Sequence, residues 1–292
     1  MEAYLQILVS GLTLGAMYAV GTIGLSLAWG ALKMLNMAHS SLIAIGGYAS
    51  YAVVVQAGLP GMAALPAALL AGALVGALLY YAVVRFMYRN EAFETNVFIA
   101  TFGIALVLEN LVLKLFGAYP LKQPFAIAEG FKIGTVHVPW QNLLIFGVSV
   151  LTMLLMAWGL ARTRTGRAIR ATAQNREAAQ LMGVATGRIF AQVLAIAGAL
   201  AAMSGVLLSS IATLSPQLGF DPMLKAFIIC VIAGLGNIAG ALYAAFALGL
   251  FEAVVQFFLG VRWALPLMMM LVIVALIWRP YGVFGQRQVT RL

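Results

Sequence analysis

Residues 34–84 read MLNMAHSSLIAIGGYASYAVVVQAGLPGMAALPAALLAGALVGALLYYAVV, without a single Asp, Glu, Lys or Arg. A helix rises about 1.5 Å per residue, so about 20 apolar residues cross a hydrocarbon core of roughly 30 Å. This stretch is long enough to cross twice, and Gly58, Pro60 and Gly61 mark where it turns back. Uncharged runs at 3–32, 133–161, 189–220 and 226–251 continue the pattern. They are continuous rather than alternating at every second residue, which implies helices and not a barrel.

The composition agrees. Of 292 residues, 64% are hydrophobic and 9% charged, with a mean hydropathy of +1.03, whereas globular chains carry roughly 25% charge. So few charges cannot cover a water-facing surface. The expected fold is all-α, a polytopic transmembrane helical bundle of about 8–9 spans forming one domain over residues 1–292. The spans fall near 4–30, 36–56, 62–84, 95–116, 139–161, 189–213, 223–236, 241–260 and 263–278. The seventh is short, since 14 residues give only about 21 Å of helix, and it reads as tilted, broken or re-entrant. Glu2 is the only charged residue before Lys33 and no basic leader precedes the first run, so that helix is expected to be retained. Cys230 is the only cysteine, which leaves no intramolecular disulfide and no cysteine metal cluster.

The net charge of +9 is an orientation signal in such a chain rather than a sign of nucleic acid. Alternating sides along the spans groups Lys33, Arg85, Arg89, the six arginines from Arg162 to Arg188, Arg279, Arg287 and Arg291 on one face: 12 of 17 basic residues. Lys114, Lys122, Lys132, Lys225 and Arg262 fall on the other. The positive-inside rule places the first group in the cytoplasm, with the amino terminus outside and the carboxyl terminus inside. Residues 117–138, with Pro120, Pro124, Gly130, Gly134 and neighbouring alternation, read as a small ordered external cap, either a connector or a docking surface.

Within the spans, Gly11 and Gly15, and Gly72 and Gly76, are four apart, a spacing that lets helix backbones approach closely. Asn36, His39 and Ser40 lie at i, i+3 and i+4, one face of a helix, where they would line a polar translocation path or bond a neighbouring helix. His137 is far from His39 and no carboxylate stands at ligand spacing, so no metal site is read. Glu109 and Glu252 lie inside spans, where a carboxylate is costly unless paired, protonated or near the interface. Lys114 would let Glu109 snorkel outward, and no partner for Glu252 is evident. The string Gly234-Leu235-Gly236-Asn237-Ile238-Ala239 matches a dinucleotide fingerprint but lacks strand-helix-strand surroundings, so it reads as a tight cytoplasmic turn. No phosphate-binding loop sequence occurs, and any ATP must be bound by another polypeptide.

The longest polar interval, 162–188, reads RTRTGRAIRATAQNREAAQLMGVATGR with Glu177 as its only acid. Helix formers predominate from Gly166 to Met182, with Ala171, Gln174, Ala178 and Leu181 on one side and Gly183 as a turn. Such a basic helix either meets lipid phosphate or fills a partner's groove.

From Glu177-Ala178-Ala179 to Gly183 the loop resembles the coupling segment of bacterial ABC importer permeases. The likeness extends along the chain to the branched-chain amino-acid permease family. It covers GLTLGAMYAVGTIGLSLAWG at 11–30, LNMAHSSLIAIGGY at 35–48, ATFGIALVLENLVLKLFG at 100–117 and AGLGNIAGALYAAFALGLFEAV at 233–254. Ser40 departs from the glycine usual after the Asn-x-Ala-His string in that family.

The resemblance implies an inner-membrane permease subunit of an ATP-driven importer, not an enzyme, moving branched-chain or other hydrophobic amino acids. It pairs with a second similar permease, two cytoplasmic ATPases that bind ATP and Mg, and an external substrate-binding protein. In that reading Arg170, Arg176 and Glu177 orient the coupling helix, Ala178 and Ala179 permit close approach, and Gly183 turns the chain. Asn36, His39, Ser40 and Glu109 line the path. The rivals are a permease for urea or short amides, and an ion-coupled transporter or channel in which Glu109 or His39 carries a proton. A membrane enzyme finds no paired carboxylates or nucleophile with its base.

The charge asymmetry makes a direct prediction. With Cys230 replaced by serine, a cysteine introduced for Gln288 should react with a membrane-impermeant maleimide only after the cells are opened; labelling in sealed cells would invert the topology.

Overall fold

The computed structural model describes residues 2–88, 92–124, 129–133 and 136–285. Arg89, Gly134, Arg287, Gln288 and Arg291, used above, lie outside the described residues. Among the described residues, seven helical stretches are long and apolar enough to cross a membrane. They are α1 (Glu2–Leu32), the Gly61–Met87 rod, α5 (Phe93–Phe116), α6 (Trp140–Arg162), α9 (Thr186–Ser209), α11 (Ile238–Phe258) and the Val261–Trp278 rod. The second rod contains α3 (Ala64–Leu79), a π turn at Tyr80–Val84 and α4 (Arg85–Met87); the last contains α12 (Ala264–Trp278). Two shorter helices complete the bundle: α2 (His39–Tyr51), continued by a π turn at Ala52–Gln56, and α10 (Phe220–Ala233).

The second expected span therefore starts later than the uncharged run suggests. After α1 the chain is non-helical from Lys33 to Asn36 and turns through Met37 and Ala38 before α2 begins. The seventh expected span is short, and it too follows a non-helical stretch, here between Ser209 and Phe220. The two helix starts meet: Gly219 lies against the Ser40 carbonyl so closely that a side chain there could not be accommodated.

The order long, short, long, long occurs twice, in α1-α2-α3-α5 and again in α9-α10-α11-α12. Gly21 faces Ser204 while Gly24 faces Ala197, so α1 and α9 run antiparallel and the second half repeats the first upside down. Each half sends its first long helix against the third element of the other. Gly11 and Gly15 of α1 meet Leu250 and Phe246 of α11, with the Cβ of a residue at Gly15 falling 2.9 Å from the Phe246 Cα. Gly72 and Gly76 of α3 meet the Gly198 and Leu194 carbonyls of α9. The four-residue glycine spacing is packing in both places. Each short helix also lies on the opening helix of the other half, α2 with Gly46 against Ala202 and α10 with Cys230 beside the Thr22 carbonyl.

The core joins both halves, with Met17, Ile145, Met203, Ile229 and Leu248 from five different helices in one buried cluster. Outward-facing Phe102 and Leu106 on α5, Leu151 and Leu155 on α6 and Ile273 and Ile277 on α12 are exposed, as lipid-facing or partner-facing residues are.

At one end, the described residues of the 117–138 connection include a hairpin cap: β1 (Gly130–Ile133) pairs antiparallel with β2 (Val136–Pro139), Lys132 opposite His137. Leu121 and Leu214 exchange backbone hydrogen bonds of 2.9 and 2.8 Å, fixing the cap to the stretch after α9. Gln123, buried, places its Nε2 2.9 Å from the Gly47 carbonyl, 2.9 Å from Ser50 Oγ and 3.0 Å from Ser209 Oγ. One side chain thus ties the cap to α2 and α9.

The crossings predict a contrast. Gly72→Leu should destabilise the detergent-purified chain by about 1–3 kcal/mol or more, because backbone must move. Gly103→Leu, on an α5 face with nothing within 4 Å, should stay within about 0.5 kcal/mol. Thermal unfolding of the two variants checks this.

Candidate functional site

The expected polar face of Asn36, His39 and Ser40 is not one helix face, because Asn36 precedes the helix. Its Oδ1 accepts the Ala38 N–H at 3.1 Å and its carbonyl accepts the His39 N–H at 3.2 Å, so it shapes the turn into α2. His39 is only 1% exposed, and its Nε2 stands 3.1 Å from the Gly21 carbonyl in the middle of α1, the ring donating there. Ser40 donates to the Met37 carbonyl at 3.2 Å and is half-buried. Of the three, only Ser40 reaches the surface. Thr101 and Ser41 share their work: Thr101 Oγ1 accepts the Met37 N–H at 3.1 Å, and Ser41 donates to the Ala105 carbonyl at 2.9 Å, joining the start of α2 to α5.

Glu109 lies toward the cap end of α5. Its Oε1 accepts a 2.7 Å hydrogen bond from Gln217 in the stretch before α10. It is bonded there rather than to Lys114, and His39 is not its neighbour in any described interaction.

The buried charge of the bundle is elsewhere. Lys225, on α10, is 7% exposed and Glu252, on α11, 1%. Lys225 Nζ is 2.7 Å from Glu252 Oε1, 2.8 Å from Asp221 Oδ2 and 3.1 Å from the Tyr18 hydroxyl of α1. Gln256 Nε2 adds a 2.9 Å bond to the same Glu252 oxygen. Lys225, counted above as an external charge, is thus inside the bundle, and it is the partner Glu252 requires. Removing one member of such a pair leaves a buried charge uncompensated, which costs about 3–5 kcal/mol.

At the opposite end, the expected single helix over Gly166–Met182 is two. Thr163 Oγ1 accepts the Gly166 N–H at 2.9 Å and starts α7 (Arg164–Gln174). Asn175 then takes φ −151° and breaks the helix, its Oδ1 accepting the Ala178 N–H at 3.0 Å to start α8 (Arg176–Leu181). Arg176 turns inward, its guanidinium carbon 3.4 Å above the Tyr88 ring, which packs edge-on to Phe190 and Phe93. Ala179 is buried and Gln180 donates to Thr186 Oγ1 at 2.7 Å, so these residues bind α8 to the bundle. Arg170, Glu177 and Ala178 face solvent with Leu181 and Met182, which are 89% and 85% exposed. Gly183 takes φ +84° with open space around it. Leu181 and Met182 are the apolar tip of this loop; the sequence placed Leu181 on one helix side and Met182 at the helix end, but marked neither as exposed.

The same end carries the Gly234–Asn237 turn, with Gly234 and Gly236 at φ +90° and +87° and Asn237 Oδ1 capping Gly240 at 2.9 Å. It joins α10 to α11 without a strand, so no dinucleotide fold surrounds it.

With this geometry, comparison with known proteins is decisive. Residues 7–277 match the family described as branched-chain amino acid transport system / permease component. The chain belongs to this family. The permease is 30% identical to the high-affinity branched-chain amino acid transport system permease BraD of Pseudomonas aeruginosa, over 99% of this chain and 98% of the relative. It is equally similar, over the same shares, to LivH of Escherichia coli K12. A probable LivH of Methanocaldococcus jannaschii is 27% identical over 90% and 87%. No solved structure matches. The permease is a multi-pass membrane transport subunit of the ABC importer class, not an enzyme.

The stacking of Arg176 on Tyr88 contributes about 0.5–1 kcal/mol at an exposed site. Arg176→Ala should quicken amide exchange across residues 176–184 a few-fold in the purified permease, while Glu177→Ala, which makes no such contact, should leave it unchanged.

Proposed function

We propose that the permease is one half of the membrane pathway of an ATP-driven importer of branched-chain or other hydrophobic amino acids in the bacterial inner membrane. The observation that carries the solute is the near full-length similarity to BraD and LivH. The arginine-rich end is cytoplasmic, the amino terminus and cap are outside, and the carboxyl terminus is inside, in accord with the basic asymmetry. A second similar permease completes the pathway, an external binding protein delivers solute to the cap end, and two ATPases bind ATP and Mg at the cytoplasmic end.

The α7–α8 loop is the coupling surface. Leu181 and Met182 project beyond the chain's own core, an arrangement that suits insertion into a groove on an ATPase. Arg170, Glu177 and Ala178 flank that tip on the exposed side. Arg176, Ala179 and Gln180 act behind it, passing its displacement to Tyr88 and to the start of α9. Asn175 is the joint between the two short helices. The permease itself needs no tight solute site, because closure of the ATPases shifts the pathway between two states and the external protein supplies selection. In the path, Asn36 and His39 position α2, Ser40 and Glu109 reach the exposed face, and no described bond links Glu109 to His39 as a proton relay requires.

The test uses the reconstituted complex. Leu181→Glu with Met182→Glu, or Gly183→Leu, should lower ATP-driven leucine uptake about tenfold or more, equivalent to about 1.4 kcal/mol of lost coupling, and weaken solute-stimulated hydrolysis. A side chain at Gly183 is strained at positive φ by about 1–3 kcal/mol. Normal coupling in both variants would remove the loop from the mechanism, and failure of the wild-type complex to move leucine would overturn the solute.

A further inference from the structure

The group around Lys225 is short of one positive charge. Asp221 and Glu252 both bond its single ammonium, at 2.8 and 2.7 Å, and among the described residues these are the only ion pairs. The neutral Tyr18 hydroxyl accepts from Lys225, and the neutral Gln256 amide donates to Glu252. Glu252 Oε2 is buried and has no hydrogen-bond partner. Two carboxylates against one ammonium leave a net charge of −1 among apolar helices, where an uncompensated charge is costly.

The two acids are not equivalent. Glu252 is sealed, whereas the Asp221 side chain is 55% exposed and belongs to the first turn of α10. It lies one helical turn from Lys225, which bonds Tyr18 in the middle of α1 and Glu252 inside α11, six residues from its end, so it stands within the depth of the spans. Beside it, Phe220 is 57% exposed, and Gly219 rests on the half-buried Ser40. An open carboxylate at that depth does not face lipid. On the import reading above, it faces the pathway.

We propose that Asp221 is a transient binding site for the ammonium group of a zwitterionic solute, with Phe220 against the solute's apolar side chain. This rests on the amino-acid import reading above. Lys225 orients Asp221 through one oxygen, leaving the other for the solute, and retains Glu252 and Tyr18 as the solute departs. The arriving ammonium brings the group to neutrality without any proton transfer. Urea and neutral amides lack the charge this site is missing, so the solute it favours carries a primary ammonium.

Three probes separate the contributions: L-leucine, leucinamide, which keeps the ammonium and lacks the carboxylate, and 4-methylvalerate, which keeps the carboxylate and lacks the ammonium. Each is added to the assembled, detergent-purified complex without binding protein, and ligand-dependent thermal stabilisation is measured. Leucine and leucinamide should stabilise it and 4-methylvalerate should not. Asp221→Asn should weaken leucinamide about tenfold or more, equivalent to about 1.4 kcal/mol. If that variant does not assemble, Asp221→Glu, which keeps the charge but moves it by one methylene, should weaken leucinamide several-fold.

The inference is overturned by stabilisation with 4-methylvalerate alone, by no stabilisation with any probe, or by an unchanged leucinamide response in the assembled variant. Leucine uptake by the wild-type complex is measured in parallel. Uptake present with Asp221 unimportant sinks only this site, and uptake absent sinks the import reading itself.

Discussion

Lipid offers no hydrogen bonds, so any interruption of a helix at membrane depth must be repaired by the protein's own groups. This chain interrupts two of its spans, before α2 and before α10, and much of the rest of the structure serves those breaks. Asn36 caps the turn into α2 with its own side chain, His39 reaches the Gly21 carbonyl, and Thr101 takes the Met37 N–H. On the cap side, Leu121 pairs with Leu214, and Gln217 is engaged by Glu109. Asn36 and His39, which look like chemistry in a sequence, are here backbone repairs.

The repairs need exact neighbours, and the inverted repeat supplies them. Because α1 and α9 run antiparallel, the break in each half lies against an unbroken helix of the other. Glycines at the α1–α11 and α3–α9 crossings set how near those helices come. A side chain at Gly72 would separate α3 from α9 and, with them, the surface on which α2 rests. The two breaks then meet at Ser40 and Gly219, one place in the bundle where helix starts, rather than continuous helix, face a common region. Polar and charged groups accumulate around it because the backbone there is already irregular and α10 begins with the Asp221 and Lys225 that its first turns can present.

The spans were legible because length and lack of charge are local properties. The positions where the reading departed from the structure depend on contacts far apart in sequence. Asn36, His39 and Ser40 have helical spacing, yet the helix starts only at His39, since the Asn36 side chain takes the Ala38 N–H and turns the chain before it. Lys225 reads as an end-of-span charge, and its burial follows only once Tyr18, 207 residues away, and Glu252 are known to surround it. Gln123 carries no signal at all, because its three partners come from α2 and α9. Asn175 was the opposite case. Its preference for capping was readable, but the helix formers on both sides concealed the break. The repeat was invisible because its halves share architecture and not a recognisable motif.

The loop at the arginine-rich end obeys a different logic, since water is available there and no backbone repair is forced. An isolated six-residue helix is marginal in water, because nucleation costs more than so short a ladder returns. α8 is held only on its inner side, by Arg176 on Tyr88, by buried Ala179 and by Gln180 on Thr186. Its outer tip, Leu181 and Met182, buries nothing within the chain. A segment anchored on one side and bare on the other suits the coupling role proposed for it. The extended backbone at Asn175 separates α8 from α7, whose Ile169 is buried in the core. On the proposed coupling role, motion delivered at the tip would pass inward through Tyr88 and the first turn of α9, to the helix on which α2 rests.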